Sequence, residues 1–205
     1  EDDAVMLPPA DTRVRWLTYG SSITHGAGTE NPTNTWPARV AIKNGLHLIN
    51  MGYGGQCHLD GMIARTIRDI PADIITLKLG INVYGSSSLN QRTYPGAVIN
   101  VVQTIREKHP KTPIGVITSI FSQERETLLN AVGCSLQDYR AMTSDAVGRL
   151  QDAGDKALRY YDGLSLLGSA DGQLLGDGLH PNSGGYKLIA EQISQMILPE
   201  LLKMV

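Results

Sequence analysis

A serine that could act as a nucleophile follows the first predicted strand. Ser22 lies in the segment Gly20–Thr24 (GSSIT), where a hydroxyl would be exposed at the edge of a sheet. A serine at such a turn is more often a helix cap or a turn residue. The amide groups that follow it would point toward a negatively charged oxygen near the start of a helix. The nucleophile elbow of the α/β-hydrolases is excluded, because it requires glycine two places after the serine, where Thr24 stands.

An aspartate and a histidine near the C-terminus could activate such a serine. A hydroxyl is a weak nucleophile until a base removes its proton, and imidazole suits this task near neutral pH. The base in turn needs a carboxylate on its other nitrogen to hold the correct tautomer. Asp177 and His180 stand three residues apart in one predicted loop and could supply both groups. The alternative is a surface turn formed by Gly176 and Gly178 ahead of a helix.

Three groups could stabilise negative charge on a substrate carbonyl oxygen, which requires hydrogen-bond donors at fixed positions. The backbone amide of Ser22 is the first of them. Gly55, after the second predicted strand, could present a second amide with no side chain in the way, and Asn82, two residues after Gly80, could add a side-chain amide. Equally, Gly55 could serve only its turn, and Asn82 could brace the backbone of its own loop.

The elements that must position these residues alternate regularly along the chain. Predicted strands cover residues 13–19, 46–51, 73–79, 113–119 and 157–161. Predicted helices cover residues 35–44, 59–70, 94–108 and 135–154, and a last helix begins near Asn182 or Ser183 with an apolar stripe at 186, 189, 190, 193, 196 and 197. This alternation predicts an α/β fold with a parallel sheet and helices on both faces. Ligands collect at the carboxyl ends of the strands in such sheets.

The combined pattern resembles the SGNH/GDSL hydrolase family. The matching motifs are Gly20-Ser21-Ser22, Gly55 within GYGG, Gly80-Ile81-Asn82 and Asp177-Gly178-Leu179-His180-Pro181, in that order. The resemblance runs from about Arg13 to the end of the chain. It implies a three-layer, flavodoxin-like fold with five parallel strands in the order 2-1-3-4-5.

The family also implies a mechanism. Ser22 would attack an ester carbonyl, His180 would act first as base and then as acid, and Asp177 would orient His180. The amides of Ser22 and Gly55 and the side chain of Asn82 would hold the oxyanion. Neither a metal ion nor an organic cofactor is implied. The expected activity is that of a serine esterase removing short acyl groups such as acetyl, with carbohydrate as the leading alcohol.

The chain departs from the family at one position. Most members have aspartate directly before the nucleophile, whereas this chain has Ser21, which leaves the rigidity of the loop around Ser22 open. The GSSIT form and the segment Ser119–Asp138 resemble a particular branch, in which that segment would overhang the site. Some relatives are acyltransferases, and some carry an upstream β-sandwich domain. Residues 1–12 are predicted to be a tail or linker that would suit such a domain, and residues 13–205 form the hydrolase domain.

Composition and charge restrict the kinds of compartment and partner that the chain is expected to have. The 205 residues are 41% hydrophobic and 19% charged with a formal net charge of −2, which predicts a soluble protein, cytoplasmic or secreted after loss of a signal. The basic residues are scattered, which argues against nucleic acid as a partner, and no apolar run could span a bilayer. The two cysteines, Cys57 and Cys134, are expected to be unpaired small hydrophobes rather than a disulfide. The oligomeric state is not predicted.

Several other side chains could contact a substrate. His25 and His58 lie near the predicted site, although a loop histidine without a partner is more often solvated. Trp36 and Tyr84 could line an acyl or sugar pocket, or could equally belong to the core. The charged residues 124–126 are interpreted as an exposed turn.

Two other classes of function compete with the esterase hypothesis. A nucleotide- or flavin-binding protein could share this sheet, but the chain lacks GxxxxGK[ST], and GYGGQC is not GxGxxG. A catalytically inactive carbohydrate-binding or interaction module is the second rival, although every residue of the predicted machinery is present. Among enzymes, a lipase or thioesterase with the same triad is the alternative.

Overall fold

A computed structural model describes residues 11–205, and its centre is one parallel sheet. The strands are β1 (Arg15–Gly20), β2 (His47–Gly52), β3 (Ile74–Lys78), β4 (Ile114–Ile117) and β5 (Leu158–Tyr161). Their order in the sheet is β2-β1-β3-β4-β5, with every neighbouring pair parallel. This confirms the predicted fold class and strand order.

Helices cover both faces of the sheet. They are α1 (Ser22–His25), α2 (Trp36–Asn44), α3 (Gly61–Asp69), α4 (Ile81–Ser86), α5 (Tyr94–Arg106), α6 (Leu136–Asp152), α7 (Ser183–Gln192) and α8 (Leu198–Leu202). Side chains of α3, α5 and α6 share one core with one face of the sheet. Side chains of α2, α7 and α8 form a second core with the other face. The result is the three-layer arrangement that the strand–helix alternation predicts.

Local sequence signals account for the beginnings of the long helices. Ser135 accepts a hydrogen bond from the amide of Asp138 while the Asp138 carboxylate accepts one from the Ser135 amide, which is a capping box at the start of α6. Asn182 caps α7 through a bond from the amide of Gly185, and so the helix begins at Ser183.

The end of the last helix differs from the predicted stripe. Met196 was expected to be apolar and inward-facing, but it is 46% exposed, while Ile193 and Ile197 are buried. A π-helical turn over Ile193–Ile197 separates α7 from α8, so the regular spacing of three and four does not hold there. Pro199, which lacks an amide hydrogen, is the second residue of α8, which begins directly after this turn.

The described chain begins at the edge of the sheet opposite to the predicted site. Of the predicted tail, residues 1–10 lie outside the described part of the chain. The Asp11 carboxylate binds the Arg13 guanidinium at 2.7 Å and the Nδ1 atom of His47, the first residue of β2, at 2.6 Å. No helix within residues 11–205 is long and apolar enough to cross a membrane.

Candidate active site

Ser22 is the first residue of α1, directly beyond the carboxyl end of β1. The side chain of Ser21 caps this short helix by accepting a hydrogen bond from the amide of Ile23 at 3.3 Å. Gly26 ends the helix in the left-handed conformation, with φ of 99°. Ser21 therefore does the work of a helix cap, a role for which serine and aspartate are about equally suited. This answers how the turn around Ser22 is held without the usual aspartate.

Two glycines allow α1 to lie directly on the ends of the first two strands. A Cβ atom at Gly20 would stand 2.2 Å from the hydroxyl oxygen of Thr24, and one at Gly52 would stand 2.1 Å from the backbone nitrogen of His25. Any larger residue at either position would push the helix away from the sheet. The glycines that end β1 and β2 thus determine the height of Ser22 above the sheet edge.

The side chains of Ser22, His180 and Asp177 form a continuous hydrogen-bonded relay. The Oγ atom of Ser22 lies 2.9 Å from Nε2 of His180. The Nδ1 atom of His180 lies 2.7 Å from Oδ2 of Asp177. The other carboxylate oxygen of Asp177 accepts bonds from the backbone amides of Leu179 and His180, at 3.0 and 2.6 Å. The carboxylate therefore orients both the imidazole and the loop that carries it.

These bonds also determine the charge of the carboxylate. Chiefly because His180 donates to it through the ring and the backbone, the pKa of Asp177 lies well below its usual range. An ionised carboxylate accepts the hydrogen on Nδ1, and this tautomer leaves Nε2 free to accept a proton from Ser22. The arrangement has the donor and acceptor polarity that nucleophile activation requires.

Three donors near this relay have no protein acceptor within residues 11–205. They are the backbone amides of Ser22 and Gly55 and the side-chain nitrogen of Asn82. A Cβ atom at Gly54 would lie 3.9 Å from Cβ of Ser22, so the loop of Gly55 runs beside the nucleophile. The Asn82 carbonyl oxygen accepts a bond from the amide of Cys57 at 3.0 Å, which directs its NH₂ group away from that loop's backbone. Hydrogen-bond donors that have no protein acceptor and are held at fixed positions can bind an oxyanion.

The segment Ser119–Asp138 spans the site from the triad loop to the turn after α4. At one end, the hydroxyl of Ser122 donates to the carbonyl of Gly178 at 2.8 Å. At the other, the Tyr84 hydroxyl donates to the carbonyl of Leu128 at 3.2 Å, and the Asn130 side chain donates to the carbonyl of Tyr84 at 3.0 Å. The segment therefore ties the loop of His180 to the helix of Asn82.

A buried ion pair holds this segment against α6. The guanidinium of Arg140 binds both carboxylate oxygens of Glu126 at 2.7 Å and donates to the carbonyls of Ser119 and Ile120. The Arg140 and Glu126 side chains are only 6% and 12% exposed. The expectation that residues 124–126 form an exposed charged turn is therefore wrong for Glu126, because its partner lies far along the chain in a buried helix face.

The other candidate contacts have different surroundings from those expected for a substrate pocket. Trp36 has no exposed surface and packs against Trp16 with ring centroids 5.7 Å apart, so it belongs to the core. Tyr84 is 6% exposed and supports the segment above it rather than a pocket. His25 is exposed and lines a cavity of about 550 Å³ on the far side of α1. Both ring nitrogens of His58 are hydrogen-bonded to protein atoms.

Lys78 was not identified from the sequence, where it interrupts the apolar strand Ile74–Leu79. Its side chain is 2% exposed at the carboxyl end of β3, and its ammonium has no hydrogen-bond partner within residues 11–205. Burial lowers the pKa of Lys78 to about 8. Cys57 and Cys134 are both buried and unpaired, as expected. No group of three or more metal-binding side chains comes together in the described range.

Sheet order and site geometry together define the class of this protein. A five-stranded parallel sheet of order 2-1-3-4-5, with serine, aspartate and histidine meeting beyond its carboxyl edge, is the architecture of the SGNH/GDSL hydrolases. The chain belongs to the GDSL-like lipase/acylhydrolase family, whose model matches residues 14–198. None of the proteins of curated function matches the chain.

Solved structures agree with this assignment. A salicylyl-acyltransferase, SsfX3, from a tetracycline biosynthetic pathway is 32% identical, with a TM-score of 0.84, and a GDSL-like lipase from Bacteroides ovatus is 26% identical, with a TM-score of 0.81. The alignments cover 93% of this chain but only 57% and 54% of those chains. A family two carbohydrate esterase from Clostridium thermocellum, in complex with cellohexaose, shares the fold at 16% identity and a TM-score of 0.76, over 98% of this chain and 68% of that one.

Proposed function

We propose that this protein is a serine esterase that forms an acyl-enzyme on Ser22. The relay from Ser22 through His180 to Asp177, at 2.9 and 2.7 Å, is the observation that supports this most directly. A serine used only as a helix cap needs no such relay, and in this chain the cap is the neighbouring Ser21. The amides of Ser22 and Gly55, which have no protein acceptor within residues 11–205, would stabilise the oxyanion that forms when Ser22 attacks the ester.

In the first step, the ester is cleaved and the enzyme is acylated. Oγ of Ser22 attacks the carbonyl carbon as Nε2 of His180 takes its proton. The carbonyl oxygen becomes an oxyanion between the amides of Ser22 and Gly55 and the side chain of Asn82. His180 then returns the proton to the alkoxide oxygen, the carbon–oxygen bond breaks, and the alcohol leaves.

In the second step, the acyl group leaves the enzyme by the same route in reverse. Water loses a proton to His180 and attacks the acyl carbon, again with the oxyanion held by the same donors. Collapse of this intermediate breaks the bond to Ser22, whose oxygen recovers the proton from His180. Asp177 stays ionised throughout and stabilises the imidazolium that forms in each half-reaction.

The surroundings of the relay favour a small acyl group on a polar alcohol. A cavity of about 370 Å³ beside Asp177 and His180 is lined by small or polar residues, but Ser22, Gly55 and Asn82 do not line it, so it adjoins the relay without enclosing the nucleophile. Asp177 itself is 58% exposed, so the site is open to water. A short acyl ester of a carbohydrate suits such a site, and carbohydrate esterases share this fold.

The experiment that tests this proposal is hydrolysis of a p-nitrophenyl ester series from acetyl to octanoyl. The Ser22→Ala protein is expected to lose ~10³-fold or more in turnover, because Ser22 supplies the only hydroxyl within residues 11–205 that is hydrogen-bonded to the imidazole of His180. The acetyl ester is expected to be the preferred member of the series. Equal rates for the wild-type and Ser22→Ala proteins would exclude the assignment of Ser22.

A second candidate function is acyl transfer to an alcohol other than water. The salicylyl-acyltransferase at 32% identity favours it, since the same acyl-enzyme can be intercepted by any nucleophile that reaches it. For an esterase, p-nitrophenol and free acid form in equal amounts whatever alcohol is added. Free acid falling below p-nitrophenol as glycerol or a monosaccharide is added, with an acylated product detected by mass spectrometry, would establish the transferase instead.

A further inference from the structure

The loop that presents Gly55 is exposed, and it is joined to the end of β1 by the amide of Tyr53, which donates to the carbonyl of Gly20 at 2.9 Å. Residues 53–56 are all exposed, and Gly55 has a φ of 72°, a conformation that favours glycine. Leu59, which is buried, has a φ of 66°, in a region that a leucine rarely adopts. Such a conformation persists only where the surroundings enforce it, and it is most frequent near functional sites.

His58, the residue before Leu59, bridges two loops through its ring. Its Nε2 atom lies 2.9 Å from the carbonyl oxygen of Gly55, and its Nδ1 atom lies 2.9 Å from Oγ of Ser88. A carbonyl can only accept, so the hydrogen of the neutral ring is on Nε2, and Nδ1 accepts from the Ser88 hydroxyl. Both nitrogens are thereby occupied, which leaves neither for a substrate.

The residue that anchors His58 is itself held in place. Ser88 follows Ser87, which has a φ of 50° at the end of α4 and accepts a bond from the amide of Ala131 through its hydroxyl at 3.1 Å. The loop of Gly55 is thus connected through His58 to the same helix that carries Asn82. Two of the oxyanion donors are therefore linked to one another by this ring.

We propose that His58 is a positioning residue that holds the Gly55 amide at the distance from Ser22 that the oxyanion requires. This inference rests on the proposed esterase function. It replaces the expectation that His58 contacts substrate. Loss of the ring would let the Gly55 loop move while the relay of Ser22, His180 and Asp177 stays intact.

Three variants separate the two bonds of the ring. His58→Ala removes both, Ser88→Ala removes only the bond to Nδ1, and His58→Gln keeps a donor that can reach the Gly55 carbonyl. Because a complete oxyanion donor is worth about 10²–10³ in kcat, a displaced one is expected to cost roughly 10–100-fold in His58→Ala. The kcat values of His58→Gln and Ser88→Ala are expected to lie between those of His58→Ala and the wild-type protein. KM for p-nitrophenyl acetate should change by roughly threefold or less in all of them, because an interaction made only in the transition state contributes to kcat and not to substrate binding.

The affinity for phenylboronic acid provides a second readout, because its tetrahedral adduct on Ser22 places an oxygen against the same donors. That affinity should weaken in parallel with kcat. His47→Ala is the matched control, since it removes an exposed, hydrogen-bonded histidine from the opposite end of β2 and should change neither quantity.

Three outcomes would overturn the inference. A raised KM with unchanged kcat would make His58 a substrate contact, and wild-type values in His58→Ala would remove any role. If His58→Ala does not fold, the test rests on His58→Gln and Ser88→Ala. A wild-type kcat in both of these variants would then overturn the positioning role of His58. Failure of the proposed function itself is distinct, because Ser22→Ala would then be as active as the wild-type protein.

Discussion

Ser21 occupies the position at which most relatives have aspartate, and its structure explains why serine suffices there. Its hydroxyl accepts the hydrogen bond that opens α1, and its side chain is 1% exposed beneath the nucleophile. Serine and aspartate are both favoured at helix caps because each supplies an acceptor oxygen that can reach the first unpaired amides of the helix. The serine at this position of the motif therefore supplies the cap that α1 needs.

Replacing Ser21 tests whether Ser21 acts as the helix cap and Ser22 as the nucleophile. Ser21→Ala is expected to lower the free energy of unfolding by about 1 kcal/mol, because a capping bond is lost, and to keep most of the esterase activity. Urea unfolding and p-nitrophenyl acetate turnover measure the two effects. An inactive Ser21→Ala protein beside an active Ser22→Ala protein would mean that the nucleophile is the other serine.

At the scale of elements, the segment Ser119–Asp138 is organised by a contact that sequence patterns do not reveal. Predicted strands and long helices agree with the structure to within a few residues, because their apolar periodicity is local. The short helices α1 and α4 were not predicted, since four and six residues are too few for a periodic stripe. The segment between β4 and α6 has no apolar periodicity. Its position is held instead by the bonds of Arg140 to Glu126 and to the carbonyls of Ser119 and Ile120.

Removal of the Arg140 guanidinium is expected to release this segment. Arg140→Met leaves the Glu126 carboxylate buried without its cationic partner, with only the bond from the Ser122 amide, which should cost about 3–5 kcal/mol in the free energy of unfolding. Arg149→Met, on the same helix, breaks only an exposed pair with Asp145 and should cost less than about 1 kcal/mol. Urea unfolding of the two proteins gives the comparison. Equal losses of unfolding free energy in the two variants would show that the buried pair contributes no more to stability than the exposed pair.

At the scale of the whole molecule, Lys78 makes stability depend on pH in an unusual direction. Unfolding restores the pKa of Lys78 from about 8 to its ordinary value of 10.5, so the unfolded chain binds more protons between these two pH values. The contribution of Lys78 to stability therefore rises as pH increases through this window, whereas burial raises the pKa of the neighbouring Cys57 thiol to about 12 and makes its contribution fall above pH 9. A burial penalty of roughly 3 kcal/mol, present below pH 8, is relieved by pH 10.5.

Comparison with Lys78→Met measures this penalty directly. Methionine has a similar length and no charge, so the variant is expected to be more stable than the wild type at pH 7 by about 3 kcal/mol. The difference should shrink steadily between pH 8 and 10, as followed by urea unfolding. Lys43→Met, at an exposed position, should show no such trend. A Lys78→Met protein less stable than the wild type at pH 7 would mean that the ammonium has a partner, such as internal water.

The strand order was implied by the family resemblance, whereas the amino-acid sequence by itself determined the strands, the residues of the four motifs and the sheet edge at which they lie. These properties follow from local periodicity and from glycines that end strands, which are legible without any contact. Only the tertiary structure decided which atoms meet: Ser22 and His180, 158 positions apart, the pair of Arg140 with Glu126, and the engagement of both nitrogens of His58. Such contacts depend on how distant elements pack, and no local pattern carries that information.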